Sequence, residues 1–143
     1  MSLKNKIERI KAISVEAVVD NAILATSDDI LNANRNQMYE RGVVDIKNPT
    51  KKEKYATSTI RQKRRTAKFP NTDFITLKWD GDFHDSLKLL MFKDKIVIQS
   101  DDLKWANWLE SRFNALGLTE DSLSPIRDKI RNEVIKNIRN ELR

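Results

Sequence analysis

The eight residues from Trp79 to Ser86, WDGDFHDS, bring together three aspartates, the chain's one histidine, a glycine and two aromatics. His84 beside Asp80, Asp82 and Asp85 has the residue types for an acid/base pair or a divalent-metal site. In a basic protein such a cluster would suggest a nuclease. The spacing opposes this. Zinc draws on several His or Cys ligands, and this sequence has one His and no Cys. The calcium-loop pattern fails because Gly81 separates the first two aspartates and Phe83-His84 follow. The same residues read better as a corner: Asp80 or Asp82 caps a short helix starting near Phe83, and Gly81 supplies the backbone freedom. One histidine also leaves no Ser/His/Asp or Cys/His set to assemble. GxGxxG and GxxxxGK[ST] are absent, and three glycines provide little material for a phosphate loop. The sequence therefore gives no support to an enzyme, a metal or a cofactor.

A second chemistry lies in the charge distribution. Lys51, Lys52, Lys54, Arg61, Lys63, Arg64, Arg65 and Lys68 stand against Glu53 alone, giving +7 in eighteen residues of a chain whose net charge is +6. The rest is close to neutral, so the basic segment is a local feature. Cations along an arm can neutralise phosphates without reading bases. The same segment could equally be a solvated surface or meet an acidic patch on a protein partner. Only Tyr55 and Phe69 bracket it, too few aromatics for stacking on single strands.

The elements that must carry these residues form an α+β pattern. At 143 residues the length fits one domain, 1–143, with a basic irregular arm at about 43–73. The absence of cysteine rules out disulfides and is compatible with a reducing interior. The apolar runs fall short of a membrane span, and the charges in MSLKNKIERI are unlike a secretory signal. A soluble protein made in the cytoplasm is expected.

Leu3, Ile10, Ala17, Leu24, Leu31 and Met38 recur every seven residues, predicting a long N-terminal helix over about 3–41 that Gly42 stops. Unbroken, it would be about 58 Å long, against roughly 40 Å for a compact chain of this size. Either it is interrupted at Thr26-Ser27-Asp28-Asp29 (26–29) or it projects and a neighbour covers it. Both outcomes leave apolar helix surface to spare. In YATSTIRQKRRTAKF (55–69), Tyr55, Thr59 and Lys63 would share one face of a short helix. FITLKW (74–79), LKLLMF (87–92) and KIVIQS (95–100) predict a small antiparallel sheet of about three strands, the last two joined by the turn Lys93-Asp94. Ile96 and Ile98 are expected to face the core. Two C-terminal helices follow. One runs from about Asp101 to Leu116 with a stripe of Trp105, Trp108, Leu109, Phe113 and Leu116, and the other opens at Ser124-Pro125.

The order of these features resembles the tail-completion or neck proteins of tailed bacteriophages. It is carried by Tyr55, Thr59 and Lys63, by the corner TLKWDGDFHDS (76–86) with Gly81, Asp82, Phe83 and Ser86, and by the turn ALGLTED (115–121). The resemblance covers about residues 35–125. Asp80 stands where the corner usually has Thr, and RQKRR (61–65) is more basic than the pattern. The resemblance implies helices packed on a small sheet and a structural, non-catalytic virion protein at the head-tail junction. It implies a homo-oligomeric ring of six or twelve copies that touches portal, adaptor or tail-tube proteins and takes part in virion assembly. The basic arm would then face packaged double-stranded DNA or an acidic neighbour. The alternative is a DNA-binding accessory protein using residues 51–68.

Overall fold

The computed structural model describes residues 2–102 and 106–143. They form seven helices and one two-stranded antiparallel sheet, in the order α1 (Leu3–Ala12), α2 (Val15–Ala25), α3 (Ser27–Tyr39), α4 (Thr57–Thr66), α5 (Asp82–Asp85), β1 (Leu87–Met91), β2 (Ile96–Ser100), α6 (Ala106–Arg112) and α7 (Glu120–Glu141). Mixed helix and sheet is therefore the fold class. Two compact units divide the chain: residues 1–30 with 123–143, and residues 31–122.

The expected long helix is three helices, α1 and α2 in the first unit and α3 beginning there and continuing in the second. Ser14 makes the first break: its Oγ accepts the Ala17 N–H at 3.3 Å while Ile13 takes an extended conformation, so a local cap displaces the continuing ladder. The second break is at Thr26, within the 26–29 segment expected from the sequence. The Thr26 hydroxyl bonds back to the Ala22 and Ile23 carbonyls at 3.0 and 3.1 Å, and α3 starts at the next residue. The seven-residue period is consequently not one buried seam. Leu31 and Met38 are buried, whereas Leu3, Ile10 and Leu24 are exposed. Val18, Ala22 and Ile23 are the buried residues of α2, and Ile126 is buried on α7. Helix α7 starts five residues before Pro125, which therefore lies inside it and not at its first position. An ion pair at 3.1 Å joins Lys129 to Asp29.

The second unit is built on the rest of α3. Gly42 ends the helical run at φ +66°, and a Cβ there would lie 2.4 Å from a Phe74 ring carbon. Gly42→Ala combines a left-handed backbone with this collision and is expected to remove about 2 kcal/mol or more, read as a Tm lower by about 5 °C. An unchanged Tm would mean that Phe74 moves aside freely.

The hairpin pairs Leu87 with Ser100, Leu89 with Ile98 and Met91 with Ile96. The Phe92 N–H closes the two-residue turn on the Lys95 carbonyl at 2.8 Å. Leu87 and Ile98 are buried, while Ile96, expected to face the core, is exposed near the turn together with Phe92.

The third strand does not form. In FITLKW the Thr76 hydroxyl accepts the Lys78 N–H at 3.2 Å, the Thr76 N–H is taken by the Tyr55 hydroxyl at 3.0 Å, and Leu77 turns to φ +56°. A side chain that satisfies its own backbone two residues on makes a turn where β-propensity predicts a ladder. Helix α6 ends at Arg112, four residues short of the expected end. Beyond it, residues 113–119 are an irregular segment whose Asn114 bridges Asp45. Of the stripe expected there, Leu109 is buried, and Phe113 and Leu116 are half-buried. Trp105 and the Trp108 side chain lie outside the described residues.

Candidate functional site

The residues singled out from the sequence fall into two places in the second unit. The first is a buried polar cluster around Thr76. Lys63 belongs to it, although the charge pattern had grouped it with the solvent-facing arm. It is fully buried, and its ammonium donates to the Asn71 carbonyl at 2.7 Å, the Thr76 hydroxyl at 3.0 Å and the Tyr55 hydroxyl at 3.2 Å. All three acceptors are neutral, and three N–H groups meet three oxygens. The ammonium also lies 4.7 Å from the Tyr55 ring centroid. Tyr55 precedes α4 and so does not share its face. Its side chain nevertheless reaches the Lys63 ammonium from just outside the helix. Thr59 has no part in these bonds and is half-buried.

His84 completes the cluster. Its Nε2 lies 2.9 Å from the Thr76 carbonyl, which only accepts, so Nε2 carries the proton and the ring is the neutral tautomer. Its Nδ1 is buried without a hydrogen-bond partner among the described residues. Burial lowers the His84 pKa to about 4, with the Lys78 and Arg35 charges acting in the same direction and the Thr76 carbonyl and Asp85 opposing. The Arg35 Nε holds the His84 carbonyl at 2.7 Å. A neutral, walled-in imidazole bonded to a backbone oxygen orients a corner and offers little to a substrate.

The corner itself forms, but its N-cap is Gly81 and not Asp80 or Asp82 as expected, with no side-chain capping bond at that position. Gly81 stands at φ +103° before α5, which begins at Asp82, one residue earlier than expected. The Asp80 carboxylate accepts the Asp82 N–H at 3.0 Å. That same carboxylate raises the pKa of exposed Asp82, foremost among several like-charged neighbours. Phe83 is buried. The Ser86 hydroxyl bonds the Phe83 carbonyl at 2.6 Å and the Ser100 hydroxyl at 2.6 Å, tying the corner to the end of β2. Among the described residues no three His, Asp or Glu side chains converge to hold a metal.

Sequence reasoning missed a second clasp. Asn34 and Gln37, both buried on α3, hold the 115–119 segment by side-chain amides that copy a strand's pairing. Asn34 donates to the Ala115 carbonyl at 2.9 Å and accepts the Gly117 N–H at 3.1 Å. Gln37 donates to the Gly117 carbonyl at 2.7 Å and accepts the Thr119 N–H at 2.9 Å. The available signal was two amides one helical turn apart, bracketed by apolar Leu31 and Met38.

The second place is the outer side of α4. Arg61, Arg64 and Arg65 stand at i, i+3 and i+4 and are exposed together, so they form a basic face. The other cations are dispersed. Lys52 lies over the Phe74 ring at 4.8 Å and Lys68 over Phe69 at 5.8 Å, while Lys51 pairs with Glu53 at 3.9 Å and Lys54 is exposed. The irregular arm expected at 43–73 thus contains a ten-residue helix with one cation turned inward and three arginines outward.

No family model, curated protein or solved structure matches this chain. Among the described residues no helix is long and apolar enough to cross a membrane.

Proposed function

We propose that the chain is a structural subunit of a phage head-tail junction, a neck or tail-completion protein that works as a homo-oligomeric ring in the virion and performs no catalysis. The observation that carries this reading is the apolar surface left in solvent. Leu3, Ile7, Ile10, Val15, Leu24, Phe92, Ile96 and Ile135 are all exposed, which is costly for a lone chain and useful to one covered by neighbours. The residues of the resemblance support it too. Tyr55, Lys63, Gly81, Phe83 and Ser86 tie segments together, a use suited to a scaffold. The neighbours would be further copies and the portal, adaptor or tail-tube proteins. Light scattering on the purified protein and electron microscopy of virions test the reading. Ring-sized particles in solution and density at the junction are expected, and a strict monomer missing from virions would refute it.

The arginine face of α4 favours a second reading, a DNA-binding accessory protein. Each phosphate contact releases condensed counterions, so affinity for duplex DNA should fall steeply with salt. Replacing Arg61, Arg64 and Arg65 by Gln should lower the slope of log affinity against log salt by about 3. Lys63 is left in place because its charge is buried. If the triple variant binds duplex DNA as the parent does, the face serves a protein contact.

A further inference from the structure

We propose that α1 of one copy docks on the exposed face of α2 of the next copy, a head-to-tail contact that builds the oligomer. The inference rests on the homo-oligomeric reading above and names the surface that would produce it. Helix α1 has no buried residue. Leu3, Ile7 and Ile10, at i, i+4 and i+7, form one apolar row and are 75%, 44% and 53% exposed. A ten-residue helix is marginal in water without a surface to lie on, so this row calls for a cover.

The charges indicate which surface. Helix α1 carries Lys4, Lys6, Arg9 and Lys11 against Glu8, a net +3, whereas α2 carries Glu16 and Asp20 with no Lys or Arg, a net −2. On α2, Ala17, Asp20, Asn21 and Leu24 are exposed in one row, Leu24 at 57%, and Val15 at the start of the helix is 72% exposed. A basic helix with an apolar row and an acidic helix with exposed apolar ends complement each other in both respects. Within one chain the two rows do not cover each other, since both are open to solvent, and the complementary surface that α1 lacks is the one a second copy offers on its α2.

Two copies could exchange α1 reciprocally and stop at a two-fold dimer. The ring reading instead requires each copy to give α1 to one neighbour and receive it from another, closing a ring or extending a filament, and a parent that sediments no larger than a dimer would overturn the head-to-tail contact. One ten-residue helix buries less than a standard interface. A single contact is therefore weak, and the assembly gains its hold when every copy makes two.

The test is light scattering and sedimentation of the full chain over a range of concentrations. The parent is expected to assemble, and Ile7→Glu with Ile10→Glu to be monomeric. Lys4→Glu with Lys11→Glu, and separately Glu16→Lys with Asp20→Lys, should each raise the concentration needed for assembly about tenfold or more. Combining the four reversals should restore assembly, a rescue that misfolding cannot imitate. If the Ile7→Glu, Ile10→Glu protein assembles like the parent, the interface lies elsewhere; the inference fails while the ring reading stands. A parent that is monomeric throughout ends both. Binding to phosphatidylglycerol vesicles that the same isoleucine changes abolish, with assembly untouched, would make α1 a membrane-surface helix and overturn the proposal.

Discussion

Lys63→Ala is expected to lower the unfolding free energy by about 3–5 kcal/mol, a large part of what a domain of this size possesses. The loss has two sources. Removing the four-carbon stem leaves a cavity at a fully buried position, and removing the ammonium strips a donor from each of three oxygens, those of Asn71, Thr76 and Tyr55. The oxygens suffer unequally. Thr76 still receives the Lys78 N–H and Tyr55 still receives the Thr76 N–H, which leaves the Asn71 carbonyl the most affected. Lys63→Met separates the two sources. It keeps most of the volume and takes a charge out of the interior, so it should cost only about 1–2 kcal/mol. Urea unfolding of the three proteins measures both values. Equal losses for Ala and Met would mean that the hydrogen bonds, and not the packing, hold the corner. No loss for either would mean that Lys63 reaches solvent.

The second large effect is on pH. The folded protein keeps His84 neutral down to about pH 4, whereas the imidazole of an unfolded chain takes its proton near 6.5. As pH falls through 6.5 the unfolded state gains a proton that the folded state refuses. The stability tied to the neutral ring is therefore complete above pH 6.5 and is lost progressively toward pH 4, by about 3 kcal/mol. The urea midpoint should drop between pH 6.5 and 5, before most carboxylates titrate. His84→Gln should remove that part of the slope. Identical profiles for parent and variant would show that His84 can be protonated inside the fold without penalty.

How much of this could be read from the chain follows from which interactions are local. The hairpin was legible because two apolar runs flank a two-residue turn. The Gly81 corner was legible because a glycine among short polar residues has few other uses, and Gly42 likewise marked an end. The missing third strand shows a competing local rule: Phe74, Ile75, Thr76 and Trp79 favour extension, yet one hydroxyl bonding its own backbone turns the chain instead. The interrupted first helix shows a misleading period, since repeats of seven continue across Ser14 although its cap stops the ladder.

Lys63 was legible in one respect only: its spacing from Tyr55 linked the two residues, whereas its charge grouped it with the basic arm. Net charge treats every lysine alike, and nothing within RQKRR separates the cation that faces inward from the arginines around it. The inward direction is set by Tyr55 and Thr76, 8 and 13 residues away. The Asn34 and Gln37 clasp depends on a segment about 80 residues distant and could be suspected only from the burial of its helix face.

One oxygen, the Thr76 hydroxyl, serves a lysine side chain and a backbone amide together, and a tyrosine hydroxyl lies 3.3 Å from it. Energies that share an atom do not add. Tyr55, Lys63 and Thr76 are thus bound to a common fate over evolutionary time. A lineage that retains this corner should inherit the trio intact or exchange its members in concert, and a chain carrying only one of the changes should be short-lived.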